Sequence, residues 1–220
     1  MYTLDRLQLF GSGKIAQTVA YYARKWCLFE VSGYSVDPSF MPKIQTSDAP
    51  TQVFDKRTIG QSKIFVALGY QDLNCLRASK LKEIMSLDVQ ITSIINPDIQ
   101  GDITTGHNCL VIPGCEQIEP FIKLGNNVFI WNNASISHFV TIDDNCWISN
   151  GVIIGGSSHI GQGSFIGLGS IINHGVNIGE NCLIGSGAVI SRDLPDNSVV
   201  LPNATELSAI TSDRAKMFLQ

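Results

Sequence analysis

FIWNNASISHFVTIDDNCWISNGVIIGGSSHIGQGSFIGLGSIINHGVNIGENCLIGSGAVI, running from Phe129 to Ile190, places an isoleucine at every sixth residue. Extended upstream to Ile112, the column covers fourteen consecutive sixth positions and is interrupted only by Leu124. A helix repeats at 3.6 residues and a simple strand at 2, so neither produces this phase. Four residues after each column member comes a second set, from Val128 and Ala134 through Ser158 and Ser164 to Cys182 and Ala188, all small or β-branched. The residue directly after the column member is Gly at Gly125, Gly155, Gly161, Gly167, Gly179 and Gly185, where a turn tolerates little side chain. One large aliphatic and one small residue per six describe one face of a parallel β-helix. Three faces close a coil of 18 residues, so residues 18 apart stack at about 4.8 Å. Each coil buries its Ile only against its neighbours, which demands capped ends.

The span 112–190 holds somewhat more than four coils. Asn96-Pro97 is expected at the entry, and Arg192–Asn197 breaks the period at the far end. A helical pattern over Glu206–Leu219 is expected to cap the last coil. The expected organisation is therefore a small α/β domain at 1–95, a β-helix at 96–200 and a partly helical tail at 201–220.

The first part has a different grammar. Leu7–Phe10 is a short apolar run, followed by Gly11-Ser12-Gly13-Lys14 and a helical pattern through Ile15, Val19, Tyr22, Ala23 and Trp26. A second apolar run reaches Val36 and ends at Asp37, a third covers Ile64–Leu68 before Gly69, and an amphipathic stretch fills Asp72–Leu87. Val89–Ile95 completes the series as a strand. Strand, glycine turn, helix, strand makes a small Rossmann-like unit with a parallel sheet. A glycine turn opening a helix offers free backbone N–H groups to a phosphate, and Lys14 adds a cation.

Composition narrows the classes. The chain has 220 residues, 15 Lys+Arg against 19 Asp+Glu, a net charge of −4 and 44% hydrophobic residues. With a pI near 5.5 it is a poor candidate for sequence-independent nucleic-acid binding, which needs a basic surface. No apolar run approaches the roughly 18 residues of a membrane span, and the first residues lack the pattern of a secretory signal. Cys27, Cys75, Cys109, Cys115, Cys146 and Cys182 form no CxxC pair, so free thiols in a reducing, cytoplasmic setting are expected.

Taken with these motifs, the chain resembles the bacterial hexapeptide-repeat sugar acyltransferases, the sialic-acid O-acetyltransferases and nucleotide-4-amino-sugar N-acetyltransferases. The resemblance runs through Leu7–Gly13, Ala67-Leu68-Gly69, Arg77 and Ile95-Asn96-Pro97 to Ile184–Ile190. It implies a left-handed solenoid, a homotrimer with its active site between subunits, acetyl-CoA as cosubstrate without a metal, and a nucleotide-linked sugar as partner in surface-glycan (lipopolysaccharide or O-antigen) synthesis. It also implies site residues. His138, in Ile136-Ser137-His138-Phe139, takes the place of the catalytic base, for which an imidazole with an ordinary pKa of about 6.5 is suited. Leu168 and Ser186, with Gly167, Gly185 and Gly187, fall where acetyl-CoA lies. Gly11, Ser12, Gly13, Lys14, Asp37 and Gly69 fall where the nucleotide-sugar lies. Three positions around His138 depart from the family pattern, Phe139 replacing an acidic residue, Trp131 an Asn and Trp147 a His, and Lys14-Ile15 stand where the family's first turn carries Gly-His. Asp143, Asp144 or a group from an adjacent subunit are the candidates to replace the missing acid.

The other residues read more plainly. His138 and His174 stand two coils apart, about 9.6 Å at strand spacing, too far to share a zinc with bonds of about 2.0–2.1 Å. His107, His138, His159 and His174 form no metal triplet; His159 and His174 read as outward or corner residues. Cys146 and Cys182 fall in the small inward column and read as packing. Trp131 and Trp147 sit beside column Ile residues at outward or corner positions, which points to a subunit interface or ligand face. Two functions follow: an acetyl-CoA-dependent transferase acting on an amine or hydroxyl of a nucleotide-linked sugar, and a non-catalytic trimeric solenoid that binds a nucleotide-sugar or a partner protein.

Overall fold

The computed structural model describes residues 4–42, 48–99, 102–113 and 117–202. The expected tail helix and Cys115 lie outside them. In the first part, β1 (Arg6–Phe10), β2 (Glu30–Val36), β3 (Thr51–Val53) and β4 (Lys63–Val66) form one parallel sheet in the order β3-β2-β1-β4. Helix α1 (Lys14–Lys25) follows β1 and buries Ala16, Val19, Ala20 and Ala23, a spacing of three and four that makes one apolar stripe. Helix α2 (Lys56–Ile59) is one turn, and α3 (Cys75–Met85) follows β4.

The second part is a three-faced parallel β-helix. Face one stacks seven strands, running from Ile94–Ile95 and Leu110–Val111 through Phe129–Ile130, Trp147–Ile148 and Phe165–Ile166 to Leu183–Ile184 and Val199–Val200. Face two has four, from Ser135–Ile136 to Val189–Ile190, and face three has five, from Ile103–Thr105 to Asn177–Ile178. Between Phe129 and Leu183 every pairing on face one joins residues 18 apart, such as Trp147 with Phe165. The expected Ile column is buried throughout, with no member more than 5% exposed, and the small column from Val128 to Ala188 fills the space between. Fully burying one such Ile stabilises the fold by roughly 1.5–3 kcal/mol, so the column carries the solenoid.

Three details differ from the sequence reading. The inward residue of the first coil is Val111, not Ile112; one extra residue between Val111 and Ile118 shifts the register, and Ile112 packs toward the α/β domain instead. The expected strand Val89–Ile95 is divided: Ile91 bridges to Ile64 of β4, whereas Ile94–Ile95 pairs with Leu110–Val111 on face one. The glycines after the Ile column are not the turn residues. Left-handed φ falls two residues later, at Asn133, Phe139, Asn145, Gly151, Ser157, Gly163 and their equivalents. The column glycines serve stacking: a Cβ on Gly161 would stand 2.6 Å from the carbonyl carbon of Gly179, and one on Gly155 2.5 Å from the backbone nitrogen of His174.

The two parts are welded along face one. Its outward residues Phe129 and Trp147, with Trp131 at the adjoining corner, are buried in one cluster with β1, α1 and β4 residues. Arg77, on α3, is fully buried above them, its guanidinium carbon 4.3 Å from the Phe129 ring centroid and 5.4 Å from that of Trp147. Asn108 bonds both backbone groups of Val66 in β4, accepting at 2.7 Å and donating at 3.2 Å. Asn74 donates to the carbonyl of Gly163.

Candidate active site

All six residues expected at the nucleotide-sugar meet in one cleft. It encloses about 500 Å³ at the C-terminal ends of β1, β2 and β4 and is lined by Gly11, Ser12, Gly13, Lys14, Asp37 and Gly69, with Phe10, Phe40, Leu76 and Lys80 among its other walls. Gly11 is the position where only glycine serves: its φ is +110°, and a Cβ would stand 2.9 Å from the carbonyl oxygen of Ala67 at the end of β4. This close approach brings the β1 and β4 ends together as one rim. Gly13 caps α1 without a side-chain hydrogen bond, and the first turn holds no acidic residue. The helix therefore directs unopposed N–H dipoles at the cleft, a setting for an anion.

Lys80 is a cleft residue that the sequence reading missed. Its Nζ lies 3.0 Å from Asp37 Oδ2 and 2.6 Å from Glu83 Oε2, and 5.2 Å from the Phe10 ring centroid. Burial opposes its charge, but the hydrogen bonds to Glu83 and Asp37 outweigh that and raise its pKa. Asp37 thus enters the cleft already half-engaged. Its partner sits more than forty residues away, on a helix whose apolar periodicity gives no sign of it.

His138 stands elsewhere, at the corner leaving face two. Its ring is half-exposed, and Nε2 lies 2.9 Å from where a Cβ on Gly156, one coil on, would be. Gly156 is what leaves room for the imidazole. The carboxylate that meets His138 is that of Glu119, from the coil before: its Oε2 accepts the His138 backbone N–H at 2.8 Å and lies 2.6 Å from Nδ1. Hydrogen bonds from the His138 side chain and backbone hold the Glu119 carboxyl below the usual range. Neither aspartate expected in this role reaches His138. Asp143 pairs with His159, Oδ2 to Nε2 at 2.8 Å, and Asp144 accepts the Asn126 backbone N–H at 2.7 Å. Both leave face three, one corner too far along the coil. Glu119 was legible only by registering one coil on the next, since it occupies in its own coil the corner that Ser137 occupies in the next.

Phe139 follows His138 with φ +57° and stacks on Phe121, likewise left-handed, at 4.9 Å and 12°. Leu168 and Ser186 are exposed in one column, 18 residues apart, at the corner from face one to face two. The adjacent glycines are demanded by the solenoid itself. A Cβ on Gly167 would stand 2.6 Å from the Ile184 carbonyl oxygen, one on Gly185 2.7 Å from Pro202 Cδ, and Gly187 has φ +77°.

Trp131 and Trp147 are buried, 8% and 4% exposed, beneath the chain's own α/β domain. This corrects their assignment to a subunit interface or ligand face. Their rings lie 5.2 Å apart, with Tyr70 against Trp147, while Tyr22 bonds Asn132 beside Trp131. Cys109, Cys146 and Cys182 are buried in the inward column, as expected of packing residues, and burial pushes the Cys146 thiol up to about 12. Among the described residues, no group of three or more His, Cys, Asp or Glu is placed to hold a metal, and no helix is long and apolar enough to cross a membrane.

The solenoid matches a known repeat family: the bacterial transferase hexapeptide (six repeats) fits residues 121–156 and 157–192. No curated protein matches the sequence. Among solved structures, PerB from Caulobacter crescentus in complex with CoA and GDP-perosamine is similar over 91% of this chain and 95% of its own, with a TM-score of 0.78 at 22% identity. The acetyltransferase domain of PglB from Neisseria gonorrhoeae, in complex with acetyl coenzyme A, is similar over 90% and 97%, with a TM-score of 0.76 at 21% identity. WeeI from Acinetobacter baumannii covers 91% and 97% at a TM-score of 0.55 and 16% identity. The shared feature is the fold: a small parallel α/β domain followed by a left-handed β-helix of hexapeptide repeats.

Proposed function

We propose that the protein is an acetyltransferase that moves the acetyl group of acetyl-CoA to an amine of a nucleotide-linked sugar, within surface-glycan synthesis. The observation that carries the reading is the single cleft gathering Gly11–Lys14, Asp37, Gly69 and Lys80 on a chain that also exposes His138 from its solenoid. A diphosphate suits the α1 N-terminus and Lys14, and a ribose hydroxyl or a base N–H suits Asp37. Similar folds solved with CoA, acetyl-CoA and GDP-perosamine support the same pairing of substrates.

In this reading the acceptor nitrogen attacks the thioester carbonyl carbon, and His138 takes the proton that the nitrogen gives up. The C–S bond then breaks, and the proton passes to the departing thiolate. Backbone N–H groups at the cleft wall stabilise the oxyanion. Leu168 and Ser186 meet the CoA arm through the surface of the corner. Among the described residues no solenoid residue lines the cleft and His138 is not one of its walls, so cleft and His138 do not share one pocket within the chain. A homotrimer, in which one subunit's cleft faces another's solenoid, completes the site. Ile153 and Val189, outward on face two and 45% and 62% exposed, suit burial against a neighbouring copy.

The test is thiol release from acetyl-CoA across a panel of nucleotide-linked amino sugars. His138→Ala is expected to abolish release while the assembly, measured by light scattering, persists. Full activity in that variant overturns the assignment. Of the three departures Phe139, Trp131 and Trp147, on which the non-catalytic reading rests, the two tryptophans are accounted for by domain packing and do not favour it.

A further inference from the structure

His138 is held twice by one carboxylate. Glu119 Oε2 accepts the backbone N–H of His138 at 2.8 Å and meets the ring at Nδ1 at 2.6 Å. The backbone contact does not depend on the charge of the ring, so it keeps the carboxylate in place through a cycle in which the imidazole gains and loses a proton. An ionised carboxylate only accepts hydrogen bonds, and its lowered pKa keeps Glu119 ionised at neutral pH. The proton on a neutral His138 ring therefore sits on Nδ1, which leaves the lone pair on Nε2. Nε2 is the ring atom over Gly156, where the missing side chain leaves the ring free to adopt this pose.

The chain position next to His138 takes no part in this. Phe139 turns away through a left-handed backbone to stack on Phe121, which lies in the coil that carries Glu119. The ring of Phe139 meets His138 edge-on, at 5.7 Å and 88°. Coil-to-coil stacking thus sets both partners of the imidazole.

We infer that Glu119 is a positioning residue for His138, acting across coils to fix the Nδ1–H tautomer and aim Nε2 at the acceptor. This rests on the reading of His138 as the base.

Glu119→Gln preserves an oxygen for the backbone N–H but lets the side chain turn its NH₂ toward the ring, and Glu119→Ala removes both contacts. With ¹⁵N-labelled histidine, the His138 signals of the wild-type protein above the imidazole titration are expected to report the Nδ1–H form. In Glu119→Ala they are expected to move toward the Nε2–H form. In the thiol-release assay, kcat is expected to fall roughly a hundred-fold or more in both variants, with KM for acetyl-CoA unchanged and part of the rate regained in Glu119→Asp. A wild-type Nε2–H tautomer, or a Glu119→Ala protein with wild-type tautomer and kcat, overturns the inference. The first of these needs no variant to fold. Activity that survives His138→Ala would instead sink the assignment of the base, while the tautomer result stands on its own.

Discussion

Arg77 and Phe129 meet where the two domains join: the guanidinium carbon lies over the ring, 4.3 Å from its centroid, with both side chains fully buried. The same guanidinium donates to the carbonyls of Gly69 at 3.2 Å, Asn127 at 3.3 Å and Asn145 at 3.1 Å, and to Asn127 Oδ1 at 3.1 Å. Gly69 lines the cleft of the α/β domain and Asn145 belongs to a solenoid corner, so one side chain fixes the cleft to the β-helix. Burial pushes its pKa down to about 9, which still leaves it charged at neutral pH.

Arg77→Met keeps most of the volume but leaves these buried acceptors without a donor. At about 1–3 kcal/mol for each buried group left unsatisfied, the loss is expected to reach roughly 3 kcal/mol or more. Urea unfolding measures it, and calorimetric titration is expected to show weaker nucleotide-sugar binding as the Gly69 loop loses its anchor. A variant with unchanged unfolding midpoint and affinity contradicts the account.

Two kinds of glycine predict two costs. In Gly161→Ala the new Cβ would meet backbone atoms of Gly179 and Glu180 at 2.6–2.7 Å, and backbone cannot step aside within a stacked coil. An overpacking cost of roughly 3 kcal/mol is expected. Gly169 has φ +63° with nothing within 4 Å of a new Cβ, so Gly169→Ala costs only the left-handed backbone, about 1 kcal/mol. Thermal unfolding of the pair should rank them in that order.

Gly156→Ala tests the His138 corner without touching the histidine. Its Cβ would lie 2.9 Å from Nε2 and 3.1 Å from the His138 carbonyl oxygen. The ring must swing off its present position, and thiol release is expected to fall at least ten-fold while the melting temperature drops by only a few degrees. Equal losses of folded protein and activity would instead mark Gly156 as purely structural.

Alkaline pH is expected to destabilise the fold over a defined window. Burial raises the Cys146 thiol from 9.0 to about 12, and burial with the hydrogen bond to Asp48 raises the Tyr34 phenol from 10.0 to about 12. For groups raised in the folded state, the unfolded chain releases protons first. Their stabilisation is complete below pH 9, declines from there, and is lost as pH passes about 12. Melting temperature should be flat with respect to these groups up to pH 9 and fall beyond it, less steeply in Cys146→Ala. In the native protein at pH 8, Cys27 and Cys75, both exposed, should react with a thiol reagent while Cys109, Cys146 and Cys182 do not.

That the glycines and Asp37 would share one cleft was readable in the sequence because they lie at strand ends, where a β-α-β order leaves little choice. Lys80 was not readable, since its pairing with Asp37 depends on how α3, packed on β4, carries Lys80 to the end of β2. The tryptophans misled for a related reason. An outward residue on a solenoid face looks exposed in a repeat pattern, and the pattern does not show that another part of the chain covers that face.

By itself the sequence determined the solenoid, because an Ile every six residues has only one way to bury every member, and it determined the α/β unit that precedes it. The tertiary structure decided everything that passes between coils or between domains. It placed Glu119 on His138, seated Arg77 on Phe129 and shifted the first coil from Ile112 to Val111. A period fixes which residues point inward, whereas contacts between stacked corners depend on where one coil stops against the next.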